Sequence, residues 1–295
     1  MQALWMLLAS LFFSAMSVCV KFAAIHFNTA ELVCYRGAIG TLIMVVVCHR
    51  QGIDLKTPVP MMHLWRAVVG VVSLAGWFYA ITDLPLATAM TLNYMSGIWV
   101  AAFLVGGTLL VGSLKDAARQ GPVILTVLTG FAGVVMLLRP TFEQNQLFAG
   151  LIGLMSGMVA AMAYLQVVTL GRLGEPISRT VFYFSLGACL SGAVCLLFTG
   201  TSPWLWPQAF WLLPIGVLAA LGQFFMTRAY NDGATLVVAN LQYAGIVFSA
   251  LFGMVLFDDQ IPWIGWAGMV LIIFSGIAAT ALRNRAMPNS PAEEH

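Results

Sequence analysis

The chain has 295 residues, of which 61% are hydrophobic and only 8% are charged, with a formal net charge of +2. Soluble proteins carry roughly 25% charged residues, so this composition excludes an ordinary soluble domain. Ten apolar stretches are each long enough to cross a bilayer, which takes about 20 helical residues. We therefore predict an all-α polytopic membrane protein with spans at 3–23, 30–49, 63–82, 87–111, 121–138, 149–170, 179–199, 211–230, 234–257 and 263–282.

The first span could be mistaken for a secretory signal peptide because it lies at the N-terminus. No basic residue precedes its apolar run, and Lys21 follows that run, so we predict a retained helix. The connection between the third and fourth spans is four residues long and contains Pro85, which predicts a tight turn. Longer connections with Gly, Pro or Asp, which are typical of loops, occupy residues 51–62, 139–148 and 200–210.

The second five spans repeat the spacing of the first five. A repeat with an odd number of spans must insert its two copies in opposite orientations, as in many secondary transporters. We therefore predict two inverted five-helix domains, 1–145 and 146–284, and a disordered cytoplasmic tail at 285–295. Without a gap, an offset of 147 positions lays Ala87, Thr88, Asn93, Val100, Leu104, Gly106 and Leu109 on Ala234, Thr235, Asn240, Val247, Leu251, Gly253 and Leu256.

The basic residues predict the orientation of the chain in the membrane. If the N-terminus is cytoplasmic, ten of the 13 Lys and Arg residues lie at inside loops or helix ends and three lie outside. Cytoplasmic loops carry the excess of Lys and Arg, so both termini are predicted to be cytoplasmic. The net charge then reflects topology and does not indicate nucleic-acid binding. The three outside residues are Lys21, Arg36 and Arg139.

The cysteine pattern argues against a metal or disulfide framework. All five cysteines fall inside predicted spans, their number is odd, and the sequence contains no CxxC motif. They are expected to be small packing residues. We predict neither a metal site nor a cofactor.

Three local motifs carry a resemblance to a known family. Arg36 lies in the second span within Tyr35-Arg36-Gly37, and Trp77-Phe78-Tyr79-Ala80 leads into Leu84-Pro85-Leu86-Ala87. With ten spans in two halves, these motifs resemble the EamA-type permeases of the drug/metabolite transporter (DMT) superfamily, over residues 3–282. The resemblance implies a bacterial inner-membrane carrier of small organic solutes such as amino acids, amines, nucleotide-derived metabolites or drugs. It also implies a central cavity lined mainly by spans 1, 3, 4, 6, 8 and 9, with spans 5 and 10 peripheral.

The chain departs from the family pattern at one pair of positions. Many relatives carry a proline shortly after the start of the fourth span and a counterpart in the ninth. Here Gly97 and the pair Ala244-Gly245 stand in those places. Glycine permits a bend, because backbone groups freed in a helix can be satisfied within the protein, but it enforces one less than proline does.

The fourth and ninth spans are rich in uncharged polar residues that could face a cavity. Asn93 and Asn240 correspond under the repeat, and either they contact substrate or they join helices as hydrogen-bonding glue. Aromatic and amide side chains together suit amphipathic organic solutes, including cations. The candidate substrate-binding residues are Ser14, Trp77, Tyr79, Thr91, Asn93, Tyr94, Tyr164, Gln223, Asn240 and Tyr243.

Arg36 is the charged residue deepest in a predicted span. It lies about six residues, or roughly 9 Å, from the outer end of the second span. Its guanidinium could bind a substrate carboxylate or phosphate, reach the outer surface, or pair with Glu31 or Asp83. Its place in the family motif favours a gating or structural role for this charged group.

None of the ten predicted spans holds an Asp or Glu near its middle, and the four histidines are expected in loops or termini. Proton-driven carriers commonly place an ionisable residue in the pathway. We therefore predict a facilitator or exchanger, although a buried pair of Arg36 with a carboxylate could couple protons.

The predicted function is alternating-access transport of a small organic metabolite such as an amino acid or amine, as exporter or exchanger. A proton-coupled multidrug or cation exporter is the main alternative, and whether the carrier forms a homodimer stays open. An intramembrane enzyme is disfavoured because no HExxH, GxSG or paired acidic motif lies within the spans. A channel is disfavoured because channels favour charge rings or carbonyl filters from several subunits.

Overall fold

The computed structural model describes residues 2–84, 86–110, 114–139, 146–203, 206–258 and 260–286. Within these residues the chain is helical and contains no β-strand. Its helices are α1 Gln2–Ala23, α2 Thr29–Arg50, α3 Pro60–Asp83, α4 Leu86–Tyr94, α5 Ser96–Leu110, α6 Leu114–Leu138, α7 Leu147–Arg172, α8 Ile177–Thr199, α9 Trp206–Ala209, α10 Leu212–Asp232, α11 Thr235–Leu241, α12 Ala244–Phe257 and α13 Trp263–Ala286.

Each predicted span coincides with one helix or with two consecutive helices. Nine segments of the described chain are long and apolar enough to cross a membrane. The third predicted span, α3, is not among these nine described segments. At 24 residues it is still about 36 Å long, enough to cross. The chain is thus a multi-pass membrane protein. The predicted tail lies outside the described residues from position 287, and α13 continues to Ala286.

Small residues bring the helices into close contact. The most extensive helix pairs are α2 with α8, α6 with α13, α1 with α10 and α3 with α7. A methyl group added at Gly192 would lie 2.6 Å from the backbone nitrogen of Cys34, and one at Gly37 would meet the backbone of Cys189. Lipid removes the hydrophobic drive between helices, so such close backbone approach provides the attraction by van der Waals contact.

The outer surface of the bundle is apolar. Leu42, Leu197, Val270 and Ile277 are each more than half exposed although they lie in the middle or last third of long helices. In water such an exposed apolar surface would favour aggregation. In a bilayer this apolar surface faces the hydrocarbon chains of the lipid at no cost, and the polar side chains can then face the interior of the bundle.

At one end of the bundle, buried carboxylate Glu175 ties the start of α3 to the connection between α7 and α8. Its side chain accepts hydrogen bonds from His63 Nε2 at 3.0 Å and Thr57 Oγ1 at 2.9 Å, and Arg179 Nη1 lies 3.1 Å away. His63 was expected in a loop. It is instead fully buried in the first turn of α3, because Glu175 supplies the partner that burial demands.

Glu175→Gln is expected to destabilise the protein by about 2 kcal/mol at neutral pH, because it weakens charge-assisted hydrogen bonds. Burial by itself would raise the pKa of Glu175, but the hydrogen bonds from His63 and Thr57 and the charge of Arg179 outweigh burial and lower it. A lowered folded-state pKa stabilises the protein above the ordinary value of 4.5, and this contribution is lost as the pH falls through the lowered pKa.

Thermal unfolding of the wild type and Glu175→Gln across this range checks the prediction. The two midpoints should differ at neutral pH and converge under acid. Asp54→Asn, at an exposed aspartate in the neighbouring connection, should leave the midpoint almost unchanged. A wild-type advantage that did not change with pH would contradict the assignment.

Candidate functional site

A cavity of about 220 Å³ with a mixed polar and apolar wall lies between the helices of the bundle. Its wall comes from α1, α2, α3, α4, α7, α8, α10 and α12, together with Gln242 between α11 and α12, whereas the described side chains of α6 and α13 do not contribute. The lining residues are Met6, Ser10, Phe13, Ser14, Met16, Ser17, Arg36, Arg66, Gly70, Ser73, Leu74, Trp77, Met90, Asn93, Tyr94, Ala160, Ala163, Tyr164, Phe184, Gln223, Met226, Gln242, Gly245 and Ser249.

Two of the spans around the cavity are interrupted, at positions that correspond under the sequence repeat. The fourth breaks between Tyr94 and Ser96, and the ninth breaks between Leu241 and Ala244. Tyr94 and Leu241 are 147 positions apart, the offset of the sequence repeat. In the ninth span the turn tightens, with the Tyr243 N–H donating to the Asn240 carbonyl at 3.1 Å. Such non-helical backbone is tolerated at membrane depth where it lies inside the protein or against a cavity.

The glycines after these breaks let the two spans cross closely. A methyl group at Gly97 would lie 2.5 Å from the Tyr243 hydroxyl, and one at Gly245 would lie 3.3 Å from the Tyr94 hydroxyl. The two tyrosine rings are 6.3 Å apart, centroid to centroid. The sequence permitted a bend at Gly97, but the helix is interrupted just before Ser96. Gly97 itself is the place where Tyr243 of the opposite span packs against this helix.

Hydrogen bonds at the second break hold Gln242 at the cavity wall. Its Nε2 donates to the Tyr164 hydroxyl at 3.0 Å, and its Oε1 accepts from the Tyr230 hydroxyl at 3.4 Å. The rings of Tyr164 and Tyr230 are stacked with centroids 5.3 Å apart. Through these three side chains α7 and α10 are joined to the interrupted ninth span. A movement of either helix or of this span would therefore change the position of Gln242 at the cavity wall.

Six of the ten candidate substrate-binding residues line the cavity. Their side chains supply hydroxyl, amide and indole groups. The Ser14 hydroxyl has a second role, because it lies 2.8 Å from both the Ser10 and the Gly245 carbonyl oxygen and so connects α1 to α12. The six are Ser14, Trp77, Asn93, Tyr94, Tyr164 and Gln223.

The other four candidates lie outside the cavity wall. Tyr79 is 43% exposed on the outer surface, with its ring against the edge of Phe148. Thr91, Asn240 and Tyr243 are buried between helices. The amide of Asn240 donates to the Ser275 carbonyl at 3.0 Å, which is the helix-joining role that the sequence left open for it.

Of the three residues predicted to give a gating or structural charge, Arg36 and Glu31 form no ion pair with each other in the described part of the structure. Arg36 lines the cavity. Glu31 caps α2 at the bundle end, where its carboxylate accepts from the Asn28 backbone at 2.8 Å and from the Ser202 backbone and hydroxyl at 2.7 Å each. The side chain of Asp83 lies outside the described part of the structure.

Arg66 is a cavity residue that its position in the sequence did not reveal, because it lies near the predicted inside end of its span. Arg66 is only 4% exposed and lines the cavity, with its guanidinium carbon 4.2 Å from the centre of the Phe184 ring. A signal was present, since Arg66 comes six residues after Pro60, which starts a helix well as its first residue. That distance places the arginine about 9 Å along the helix.

Among the described residues, no three His, Cys, Asp or Glu side chains come together as metal ligands would. The groups that the cavity wall offers to a ligand are hydrogen-bonding side chains, aromatic rings and the two guanidinium groups of Arg36 and Arg66. Such a site can hold a small organic molecule by shape, hydrogen bonds and charge, without any covalent step.

Comparison with known proteins gives a consistent result. The model of the EamA-like transporter family matches residues 1–106. The chain is 33% identical over 271 residues to the pseudopaline exporter CntI of Pseudomonas aeruginosa, covering 92% of this chain and 93% of the relative. It is 27% identical to a riboflavin transporter of Vibrio cholerae (92% and 90% covered) and 23% identical to an S-adenosylmethionine uptake transporter of Rickettsia felis (91% and 88%).

A solved crystal structure superposes on 95% of this chain and 98% of its own length with a TM-score of 0.81, at 18% identity. This likeness shows the fold. The matching family model and the relatives named as transporters define a membrane transport protein rather than an enzyme. The chain belongs to the EamA-like transporter family, among the DMT-type transporters.

Proposed function

We propose that this protein is a secondary carrier that moves a small organic metabolite across a bacterial inner membrane by alternating access. The observation that carries the proposal is the cavity at which both interrupted spans meet, walled by helices from both halves of the chain. Alternating access needs a binding site between two bodies that can rock against each other. The contact between the rings of Tyr94 and Tyr243 lies beside this site and joins one half of the chain to the other.

The helix pairing supports two halves related as an inverted repeat. The repeat exchanges α1 with α7, α2 with α8, α3 with α10 and α6 with α13. Under this exchange the pair α1–α10 becomes α7–α3, while α2–α8 and α6–α13 are each kept, and these four are the most extensive contacts. The matching breaks of the fourth and ninth spans obey the same exchange.

We further propose that both termini are cytoplasmic. Arg36 and Arg66 line the cavity and no longer count as loop charges. The remaining basic residues still divide nine to two in favour of a cytoplasmic N-terminus. The direction of transport is a separate question, because the relatives include both an exporter and an uptake transporter. A facilitator or exchanger remains the favoured mode, with a proton-coupled exporter as the alternative.

Counterflow in proteoliposomes tests the carrier. Vesicles are preloaded with amino acids, polyamines, nucleosides or carboxylates in separate pools, and a trace of labelled solute is added outside. We expect transient accumulation of label from one pool and none in protein-free vesicles. A folded, reconstituted protein that shows counterflow with no pool would contradict the proposal. Proton movement driven by the transported solute would replace the facilitator with the proton-coupled alternative.

A further inference from the structure

Arg66 is a buried cation without a protein counter-ion in the described part of the structure. Its Nε and Nη1 atoms are buried and have no hydrogen-bond partner there, and its contact with Phe184 is to the ring face. A guanidinium stays charged under all physiological conditions. Burying such a charge is costly unless an anion and hydrogen-bond acceptors compensate it. The cavity that Arg66 lines is the place where they can be supplied.

No acidic side chain lines the cavity among the described residues. The two buried carboxylates of the described chain, Glu31 and Glu175, are engaged at the ends of the bundle with Ser202 and His63 respectively. Asp83 ends the same helix as Arg66, 17 residues later, so the two are about 25 Å apart along the helix axis. The backbone positions of Arg66 and Asp83 are therefore near opposite ends of α3.

A second cation lies on the same cavity. Arg36 is seven residues from the start of α2, and Arg66 is six residues from the start of α3. Consecutive spans run in opposite directions, so the two guanidinium groups approach the cavity from opposite ends of the bundle, each about 10 Å deep. Two positive charges and no described negative charge give the cavity a positive potential, which repels cations and attracts anions.

We propose that the transported solute is a small organic anion and that Arg66 binds its carboxylate or phosphate group. This inference rests on the proposed carrier function and names its substrate class. Arg66 offers two parallel N–H donors, the geometry that carboxylates and phosphates accept. The rest of the solute lies against hydroxyl and amide groups such as Ser73 and Gln223 and the ring of Trp77. The amines and other cations that aromatic residues alone would suit are disfavoured.

Counterflow compares glutamate and succinate, as carboxylates, glucose 6-phosphate, as a phosphate, spermidine, as a cation, and adenosine, as a neutral solute. We expect counterflow with a carboxylate or with the phosphate, and the active member tells the two anion classes apart. Counterflow with spermidine or adenosine but with neither anion class would overturn the substrate class and leave the carrier intact. No counterflow with any of them would count against the carrier itself.

Arg66→Gln is expected to weaken the apparent affinity for the active anion at least about tenfold, because it removes a charged hydrogen-bond donor. Arg66→Lys should fall between, since lysine keeps the charge and loses the fork. Arg50→Gln, at an exposed arginine at the end of α2, is the matched control and should transport normally.

Thermal unfolding without solute separates binding from structure. If Arg66 serves the solute, its unpaired charge destabilises the empty protein, so Arg66→Gln should unfold at an equal or higher temperature than the wild type. A lower unfolding temperature for both Arg66→Gln and Arg66→Lys, with unchanged affinity in the protein that stays folded, would make Arg66 a structural residue and overturn the proposal.

Discussion

Gly133→Ala is expected to lower the free energy of unfolding by about 3 kcal/mol, the upper part of the usual range for overpacking. Gly133 lies where α6 crosses α13. An added methyl group would lie 2.6 Å from the Gly268 carbonyl oxygen and 3.1 Å from the Ile272 backbone nitrogen. These neighbours are backbone atoms and cannot turn aside, so the helices would have to move apart. The contact is reciprocal, because a methyl at Gly268 would meet the Gly133 carbonyl at 2.6 Å.

Thermal unfolding of the purified protein in detergent measures this effect. Gly106→Ala in α5 is the matched control, because a methyl group there meets no described atom within 4 Å. Alanine is the better helix former, so the control should be as stable as the wild type or slightly more stable. Equal unfolding temperatures for Gly133→Ala and wild type would show that α6 and α13 are packed less closely than described.

Asn93→Ala and Asn240→Ala are expected to give opposite results, although the two asparagines correspond under the repeat. Asn93 lines the cavity, and its amide is 3.5 Å from the Ser156 hydroxyl, a weak contact. Asn240 is 1% exposed and bonded to both the carbonyl and the hydroxyl of Ser275. We expect Asn93→Ala to reduce transport about tenfold, the loss of one hydrogen bond to solute, without changing stability.

Asn240→Ala should instead lower the free energy of unfolding by about 1 to 2 kcal/mol, because it removes the buried hydrogen bonds of Asn240 with the carbonyl and the hydroxyl of Ser275. Transport per folded molecule should remain near the wild-type level. Membrane abundance, unfolding temperature and counterflow are measured for both variants. If Asn240→Ala lost transport at normal stability, or Asn93→Ala were missing from the membrane, the roles assigned to the two residues would be exchanged.

The helical class and the positions of the spans could be predicted from the sequence. An apolar stretch of about 20 residues has one stable solution in a bilayer, since only a helix satisfies every backbone group within the segment. The start of α3 was harder to place, because the partner that makes burial of His63 acceptable lies 112 positions away at Glu175. A polar residue at a span end is compatible with either a loop or a buried pair, and the sequence contains no local signal that separates them.

The cavity wall could be predicted only in part. In a soluble helix the apolar stripe marks the inward face, but a membrane helix is apolar on both its lipid and its protein side, so its pattern does not show which way it is turned. Asn93 and Asn240 illustrate this, because equivalent positions face a cavity in one half and a neighbouring helix in the other.

By itself the sequence determined the membrane class, the helical segments that can span the membrane and the spacing at which similar residues recur, because these follow from length, apolarity and chain order. Only the tertiary structure decided where the fourth and ninth spans break and which charges meet in the interior. Gly97 takes its role from Tyr243 and Arg66 from Phe184, and both partners are more than 100 positions away in the chain. The rotation of each helix depends on how it packs against its neighbours, and in this structure Arg66 lies on the cavity rather than at the surface.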